Sequence, residues 1–223
     1  MKTRIYILLI ALIALSPAMA QIDKDELALK ISKADEANTQ KLKEYIWKRK
    51  SDVFVETQLK LTTITEFSFT ADGKLEAKIV DATTTVKEKR GVRGKMQQNA
   101  AEDKMDYVVK ALDLSLHYAF MSKGELIDFM SKATVTEKDG SLEAIADNVF
   151  VKGDKLLIRI DPKTYLYTYK EFSSLLGADK VEGKMNYEKF SNGTSHGSTT
   201  TLNLPAQKMD IKGINQDYTI RVK

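Results

Sequence analysis

The residue types that most often carry out chemistry are scarce in this sequence of 223 residues. It contains no cysteine and two histidines, His117 and His196. His117 follows Asp113 by four residues, a spacing that predicts a surface ion pair on a helix. His196 lies in a Ser-His-Gly turn, and the sequence has no G-x-S-x-G nucleophile elbow. Because the spacings of zinc ligands are also missing, we expect no catalytic residues, no metal and no cofactor. An enzyme that uses an unmarked carboxylate is the less favoured alternative.

Basic residues concentrate in one short segment. Residues 86–95 read VKEKRGVRGK, with five basic residues and one acidic residue. A phosphate-binding P-loop would need a glycine where Lys89 stands and a serine or threonine where Met96 stands, so that motif is excluded. Two interpretations stay open, a solvated loop or a loop that contacts anionic lipid head groups. The residues that would make this contact are Lys89, Arg90, Arg93 and Lys95.

The first twenty residues have the features of a cleaved signal peptide. Lys2 and Arg4 precede an apolar run over residues 5–15, and Ala18, Met19 and Ala20 form a small-x-small cleavage site. The apolar run is shorter than the about 20 residues that a membrane-spanning helix needs. We therefore expect a periplasmic or secreted protein, residues 21–223, that is not lipid-anchored because no cysteine follows the cleavage site.

The composition of residues 21–223 narrows the class of partner. Without the two basic residues of the signal peptide, 33 basic residues stand against 31 acidic residues. This near-balance, together with export, argues against nucleic acid as a partner. An exported chain without cysteine is stabilised by its core and not by disulfides. Its length is sufficient for one domain with a substantial core, and no linker or repeat divides it.

The clearest pattern in the sequence is an alternation of period two from Val53 to Phe69, with most of the apolar residues at odd positions. It predicts one strand with a buried face. A straight strand of this length would extend about 55 Å, whereas a domain of this size is about 40–45 Å across. We therefore expect the strand to curve, or to break at a bulge near Thr62 and Thr63. The following Asp-Gly turn predicts a hairpin that pairs Phe69 with Leu75.

Three helices are predicted by apolar residues at helical spacing. The first covers residues 21–47, either unbroken or with a break near residues 37–38. It places Trp47 at a helix-to-strand junction, as a core aromatic or as a ligand contact. The second covers residues 96–120, with an apolar stripe. The third begins at the capping box formed by Ser122 and Glu125. The apolar residues at helical spacing in the second helix are Ala101, Met105, Val108, Val109, Leu112, Leu116 and Phe120.

From Leu142 onward the sequence predicts short strands separated by turns. They include residues 149–151, 156–160, 165–169, 181–190, 199–204, 209–211 and 218–222. Helices inserted between strands of a curved sheet must pack on its concave face or lie across its mouth. The fold class is therefore α+β. We expect a curved antiparallel sheet that forms a half-open β-barrel, with the N-terminal helix and the two inserted helices on the concave face as a lid.

The order of these elements and four local stretches resemble the LolA/LolB-type lipoprotein carriers. The stretches are KLKEYIWK (41–48), FTADGK (69–74), RGVRGK (90–95) and IRIDPKT (158–164). The resemblance implies a monomeric carrier that holds acyl chains of a lipid or an acylated protein in the cell envelope. It also implies transient contact with a membrane surface. An arginine inside the barrel is expected from the same resemblance, and Arg49 and Arg159 are the candidates.

Two arrangements of the concave face stay open. It holds a ligand cavity, or it is filled by the chain's own helices and the protein is an interaction module of the envelope. Gly91, Gly94 and Gly124 adjoin the inserted helices, so we expect these helices to be the least stably docked part of the fold. The residues expected to line a cavity are Trp47, Val53, Val55, Leu59, Leu61, Phe67, Phe69, Leu112, Leu116, Phe120, Leu126, Phe129 and Met130.

Overall fold

Three helices and ten strands make up the part of the chain that the structure describes. The computed structural model describes residues 23–85 and 92–221, with the backbone alone for residues 92–103. The predicted signal peptide, Lys89 and Arg90 lie outside the described residues. The helices are α1 (Lys24–Leu42), α2 (Val92–Ala119) and α3 (Lys123–Lys132). The strands are β1 (Tyr45–Val55), β2 (Gln58–Phe69), β3 (Leu75–Thr84), β4 (Thr134–Lys138), β5 (Ser141–Asp147), β6 (Lys155–Ile160), β7 (Tyr167–Leu176), β8 (Asp179–Lys189), β9 (Ser195–Leu204) and β10 (Met209–Ile220).

The ten strands form one antiparallel sheet in the order β3-β2-β1-β10-β9-β8-β7-β6-β5-β4. Every neighbouring pair is antiparallel. The C-terminal strand β10 lies between β1 and β9, so it joins the N-terminal strands β1–β3 to the rest of the sheet. The sheet is open, with β3 at one edge and β4 at the other.

The helices pack against one face of this sheet. Leu27 and Ile31 of α1 and Phe129 of α3 are buried in the same core as the inward residues of the central strands. The predicted capping box of α3 is present, with Ser122 accepting from the Glu125 N–H and the Glu125 carboxylate accepting from the Ser122 N–H. An α+β fold with helices on one face of an antiparallel sheet is thus confirmed. Sheet residues of the core include Ala144, Leu156, Ile158, Ile160, Phe172, Val181, Met185, Leu202, Leu204, Met209 and Ile211.

The stretch from Val53 to Phe69 is not one strand, and that prediction was wrong. Glu56 and Thr57 have φ angles of 49° and 68°, so both adopt the left-handed conformation of a two-residue hairpin turn. Neither residue is the Asn or Gly that normally marks such a turn, and the alternation continues through it. The predicted pairing of Phe69 with Leu75 is confirmed.

Helix α1 is shorter than predicted. It ends at Leu42 instead of residue 47, and Tyr45 to Trp47 belong to β1. Aromatic and β-branched residues favour strands, and here they pair with β2 and β10. The predicted break near residues 37–38 does not occur, since α1 is continuous.

The C-terminal half differs in three places from the predicted strands. Residues 149–151 form a loop because the buried carboxylate of Asp154 accepts their N–H groups. Strand β4 is not among the predicted strands. The two predicted strands 209–211 and 218–222 are one strand, β10.

The inner face of the sheet is not covered evenly. Along β3, every residue after Leu75 is exposed. Ile79 pairs with Thr65 and so lies on the same face as Phe67, yet 60% of Ile79 is accessible to solvent. Described side chains of the helices therefore cover β5–β10 but leave the β3 edge open.

Candidate ligand-binding site

A cavity of about 80 Å³ lies between the C-terminal ends of α1 and α2 and the inner face of the sheet. Helix α1 contributes Asp35, Asn38, Thr39 and Leu42. The end of α2 and the residue after it contribute Leu116, Ala119 and Phe120. The remaining walls consist of Trp47, Arg49, Phe67, Leu75, Leu166, Tyr167, Met185, Tyr187, Ser195, His196, Gly197, Thr200, Asn215 and Tyr218.

Aromatic rings form one side of the cavity. Trp47 of β1 pairs directly with Phe67 of β2, and their rings stack at 5.6 Å. Tyr218 of β10 also stacks on Trp47, with 5.8 Å between the ring centres. These rings belong to a small aromatic cluster separate from the main core. Cross-strand pairing of aromatics thus gives the cavity a rigid apolar wall.

Arg49 extends from β1 over this wall. Its Nε donates to Oδ1 of Asn215 at 2.9 Å and its Nη2 donates to Oγ1 of Thr200 at 3.1 Å. The guanidinium lies 5.5 Å from the ring centre of Phe67. Burial lowers the pKa of Arg49 from its ordinary value. The guanidinium stays charged, because the pKa of arginine is far above neutrality.

Helix α1 is held to the cavity by a pair of hydrogen bonds. The Asn38 amide donates to the Ser195 carbonyl at 2.8 Å and accepts from the Ser195 N–H at 2.7 Å. Asn38 is buried, so both polar ends of its side chain need partners. This reciprocal bond fixes the distance between α1 and the first residue of β9.

Lys170 is the charged residue beneath the cavity. It is fully buried, and its ammonium donates to the backbone carbonyl of Ala119 at 2.8 Å. The ammonium also lies 3.8 Å from the ring centre of Tyr167. Burial lowers the pKa of Lys170 to about 8, while the attraction of Asp35 opposes this shift. Burial likewise raises the pKa of Asp35, and Lys170 opposes that shift. Lys170 therefore binds the negative end of the α2 dipole to the sheet.

Helix α2 has two apolar faces. Val108, Ala111 and Tyr118 are buried in the main core. The second face, here called the apolar stripe, starts at the cavity and continues along the helix. Its members Met105 and Val109 are 41% and 46% exposed. The stripe consists of Met105, Val109, Leu112, Leu116 and Phe120.

The predicted site residues are distributed over three environments. Four of them line the cavity, namely Trp47, Phe67, Leu116 and Phe120. The others on β1, β2 and α3 lie mostly in or against the main core. Arg93 and Lys95 are described by their backbone alone. In or against the core are Val53, Val55, Leu61, Leu112, Leu126, Phe129 and Met130, while Phe69 belongs to the aromatic cluster and Leu59 is 38% exposed.

Sequence reasoning missed most of the polar walls of the cavity. Asp35, Lys170 and Tyr218 were not singled out, and His196 was considered only as a catalytic residue. One signal was present, because Ser198 and Thr200 occupy inward positions of β9 and are buried. Polar residues on the inward face of a strand indicate a site that is not purely apolar.

The groups that line the cavity can hold a ligand. No group of three or more His, Asp or Glu side chains in the described part of the chain is arranged to hold a metal ion. Among the described helices, none combines the length and the apolar character that crossing a membrane requires. The cavity instead combines aromatic walls, a guanidinium and neutral hydrogen-bonding groups, an arrangement suited to a ligand with one polar end.

Comparison with solved structures gives similar chains at 10% sequence identity. A DUF1329 family protein from Desulfovibrio piger matches over 89% of this chain and 92% of its own, with a TM-score of 0.40. An outer membrane lipoprotein-sorting protein domain from Vibrio parahaemolyticus matches over 87% and 92%, with a TM-score of 0.42. A LolA superfamily protein from Nitrosomonas europaea matches over 84% and 94%, with a TM-score of 0.32. No protein-family model and no curated protein matches the sequence.

The similar structures include the family that the sequence resembles. At 10% identity and TM-scores below 0.5, these similarities are too distant to indicate what the chain binds. The residues of the cavity and of the apolar stripe have to supply that argument.

Proposed function

We propose that this protein is an exported, non-enzymatic binding or carrier protein for lipids or other molecules with acyl chains in the bacterial cell envelope. The observation that supports the proposal is the apolar stripe of α2, which begins at the cavity and is left partly exposed. From Met105 to Phe120 it extends about 22 Å along the helix. One leaflet of a bilayer core is about 15 Å thick. The stripe is therefore long enough for one acyl chain.

The size of the cavity limits how such a ligand binds. Its volume of about 80 Å³ is below the roughly 300–1,000 Å³ of typical ligand pockets. A whole acyl chain does not fit inside. We infer that the polar end of the ligand occupies the cavity and that the chain lies along the apolar stripe, toward the open β3 edge.

The N-terminal sequence supports export. The charged and apolar regions before Ala20 have the pattern of a cleaved signal peptide, and we propose that residues 21–223 form one monomeric domain in the periplasm or outside the cell. The basic residues that are expected to meet anionic head groups would give transient contact with a membrane surface. These residues are Lys89, Arg90, Arg93 and Lys95.

A second candidate function is favoured by the main core. Phe129 and Met130 of α3 are fully buried and fill the space above the sheet. Together with the small cavity, they support an envelope interaction module whose concave face is filled by its own helices. Such a protein would bind other proteins through its surface and would take up no lipid.

Lipid binding separates the two candidates. The purified protein would be examined by native mass spectrometry and extracted with organic solvent to identify bound lipid, and it would then be titrated with a fluorescent fatty acid. Phe120→Glu places a charge where the stripe meets the cavity and is expected to weaken fatty-acid binding at least tenfold. Leu29→Glu is the matched control, because Leu29 is 55% exposed on α1 and lies outside the cavity. If the wild-type protein carries no lipid and takes up no fatty acid, the interaction module is the correct function.

A further inference from the structure

Arg49 and Arg159, the two arginines predicted to lie inside the barrel, have different partners. Arg159 of β6 forms an ion pair with Glu143, with 2.8 Å between Nε and Oε2. Arg49 donates to the side-chain oxygens of Asn215 and Thr200, which are neutral. Within residues 23–85 and 104–221, no carboxylate lies within 4.0 Å of its guanidinium. A partly buried cation is thus left without an anionic partner.

The neutral partners of Arg49 are themselves held in place. The amide nitrogen of Asn215 donates to the Gly197 carbonyl at 2.8 Å, so the Asn215 oxygen is turned toward Arg49. The Tyr218 hydroxyl donates to the same carbonyl at 2.9 Å. Asn215 and Thr200 accept from Nε and Nη2, on one edge of the guanidinium. Its other N–H groups have no acceptor among the described residues. Arg49 is also one of the walls of the cavity.

The other charges near the cavity offset one another. Asp35 lines the cavity and Lys170 lies beneath it, and the two attract each other electrostatically. As an ion pair the two add no net charge, so the guanidinium of Arg49 leaves the site with one positive charge in excess. A buried charge is stable in a binding site when the ligand supplies the opposite charge.

We propose that Arg49 is the recognition site for a group with a single negative charge, a carboxylate or a phosphodiester, at the polar end of the bound molecule. That the ligand carries an acyl chain rests on the proposed function. That it carries a negative charge rests on Arg49 alone. A planar guanidinium donates two parallel N–H groups to such an oxyanion, which makes the contact both strong and directional.

The anion site is tested first with short anions that lack a long acyl chain. Trp47 is the only tryptophan of the sequence, and it stacks on the ring that the guanidinium covers. Titration with hexanoate or with dimethyl phosphate is expected to change Trp47 fluorescence in a saturable manner, whereas hexanol is not. Arg49→Gln is expected to lose this response, and Arg159→Gln is expected to keep it.

The second arm identifies the source of the anion with amphiphiles. Palmitate is compared with methyl palmitate, and lysophosphatidylglycerol with monopalmitoylglycerol, so that each pair differs in one negative charge. In the pair whose anion the site recognises, the charged member is expected to bind at least about tenfold more tightly than the neutral member. Arg49→Gln is expected to remove this preference while binding of the neutral member persists. Arg49→Lys keeps the charge without the paired donors and is expected to retain part of the preference.

The possible failures point to different conclusions. If no short anion changes Trp47 fluorescence, or if Arg49→Gln responds as the wild type does, the inference is wrong. It is also wrong if acyl probes bind and neither pair shows a preference, although the proposed carrier function then stands. If the short anions bind at Arg49 and no acyl probe binds, the carrier function fails and the anion site stands.

Discussion

At the scale of the single residue, Lys170 links the stability of the fold to pH. Its side chain is fully buried, it donates to the last carbonyls of α2, and burial lowers its pKa to about 8. In the unfolded chain the same ammonium keeps its proton to a pH of about 10.4. Between these two values, unfolding takes up a proton, so the free energy of unfolding rises with pH.

The replacement Lys170→Met isolates this effect. From pH 8 to pH 10, the free energy of unfolding of the wild type is expected to rise relative to that of Lys170→Met, by up to about 3 kcal/mol. Burial raises the pKa of Tyr118 and Tyr187, which lowers stability above pH 10 in both proteins, so the difference between them is the quantity to measure. Urea unfolding at several pH values provides it. A difference that does not change with pH would show that Lys170 is already neutral or accessible to water.

Gly183 is required by the ring that covers it. It pairs with Phe172 across β7 and β8, and a Cβ at position 183 would overlap the Phe172 ring. Phe172 is itself stacked against Tyr118 at 4.2 Å, so it has little room to move. Gly183→Ala is expected to lower the free energy of unfolding by about 1–3 kcal/mol.

A second glycine serves as the control for this substitution. A Cβ at Gly124 in α3 would meet no atom within 4 Å. Gly124→Ala is therefore expected to raise stability by up to about 1 kcal/mol, because alanine favours a helix. Thermal unfolding of both variants provides the comparison. Equal stability of Gly183→Ala and the wild type would show that the Phe172 ring shifts without cost.

The burial of Lys170 could not be read from the sequence. In this segment the aromatic residues Tyr165, Tyr167 and Tyr169 stand at odd positions. A register shift between β6 and β7 at Ile160 places Lys170, Phe172 and Ser174 on the buried face instead. A single-residue bulge reverses the faces of everything that follows it, and no residue type marks this one.

At the scale of the element, the turn between β1 and β2 has two consecutive residues in an unfavourable backbone conformation. Glu56 and Thr57 both have positive φ angles, which cost residues other than glycine and asparagine free energy. The double substitution Glu56→Asn and Thr57→Gly is expected to raise the free energy of unfolding by about 1 kcal/mol. Chemical denaturation measures the change.

The ion pair of Glu56 needs its own control. Glu56 and Lys208 lie 3.1 Å apart, with both side chains exposed. Such pairs contribute little to stability, so Glu56→Gln is expected to leave the midpoint of unfolding nearly unchanged. If Glu56→Gln destabilises the protein and the double substitution fails to stabilise it, the surface ion pair and not the backbone conformation governs this turn.

Elements with local signals were predicted from the sequence, and elements that depend on partners were not. The capping box at Ser122 and Glu125 located the start of α3, and the Asp-Gly turn gave the register of Phe69 with Leu75. The end of α1 was misplaced because helical spacing continues through Tyr45 and Ile46. Those residues enter β1 because they pair with Ile220 and Thr219 of β10, which one segment of sequence does not reveal.

At the scale of the whole molecule, protection from solvent is uneven between the two ends of the sheet. The spacing of glycines predicted that residues 96–132 are docked less stably than the strands from 53 to 79. In the structure, Leu126, Phe129 and Met130 of α3 are at most 2% exposed, whereas β3 is exposed on both faces. We therefore expect amides of α3 to exchange among the slowest and those of β3 among the fastest.

Hydrogen exchange with mass spectrometry measures this order directly. Buried elements exchange through larger openings than elements with few buried contacts. A β3 that exchanges as slowly as β2 would mean that something covers this edge in solution. Repeating the measurement with bound fatty acid would show whether protection then extends along α2.

The fold class was easier to predict from the sequence than the residues of the cavity were. Alternation and helical spacing identified Trp47, Phe67, Leu116 and Phe120, which the structure brings to one place. Tyr218 could not be assigned, because Asp217 adopts a positive φ angle and the register of β1 with β10 shifts nearby. A cavity built from five or more strands depends on these shifts, and they arise only when the strands are paired.

The position of β10 between β1 and β9 also determines the order in which the sheet is assembled. A chain synthesised from its N-terminus delivers β1, β2 and β3 first, but these strands have no neighbour in the rest of the sheet until β10 has arrived. Pairing of β1 with β10 joins residues separated by more than 150 positions, the kind of contact that forms slowly. Until then the edge of β1 and the rings of Trp47 and Phe67 are open to other proteins. The chain is therefore vulnerable to aggregation until β10, the last strand, has paired with β1.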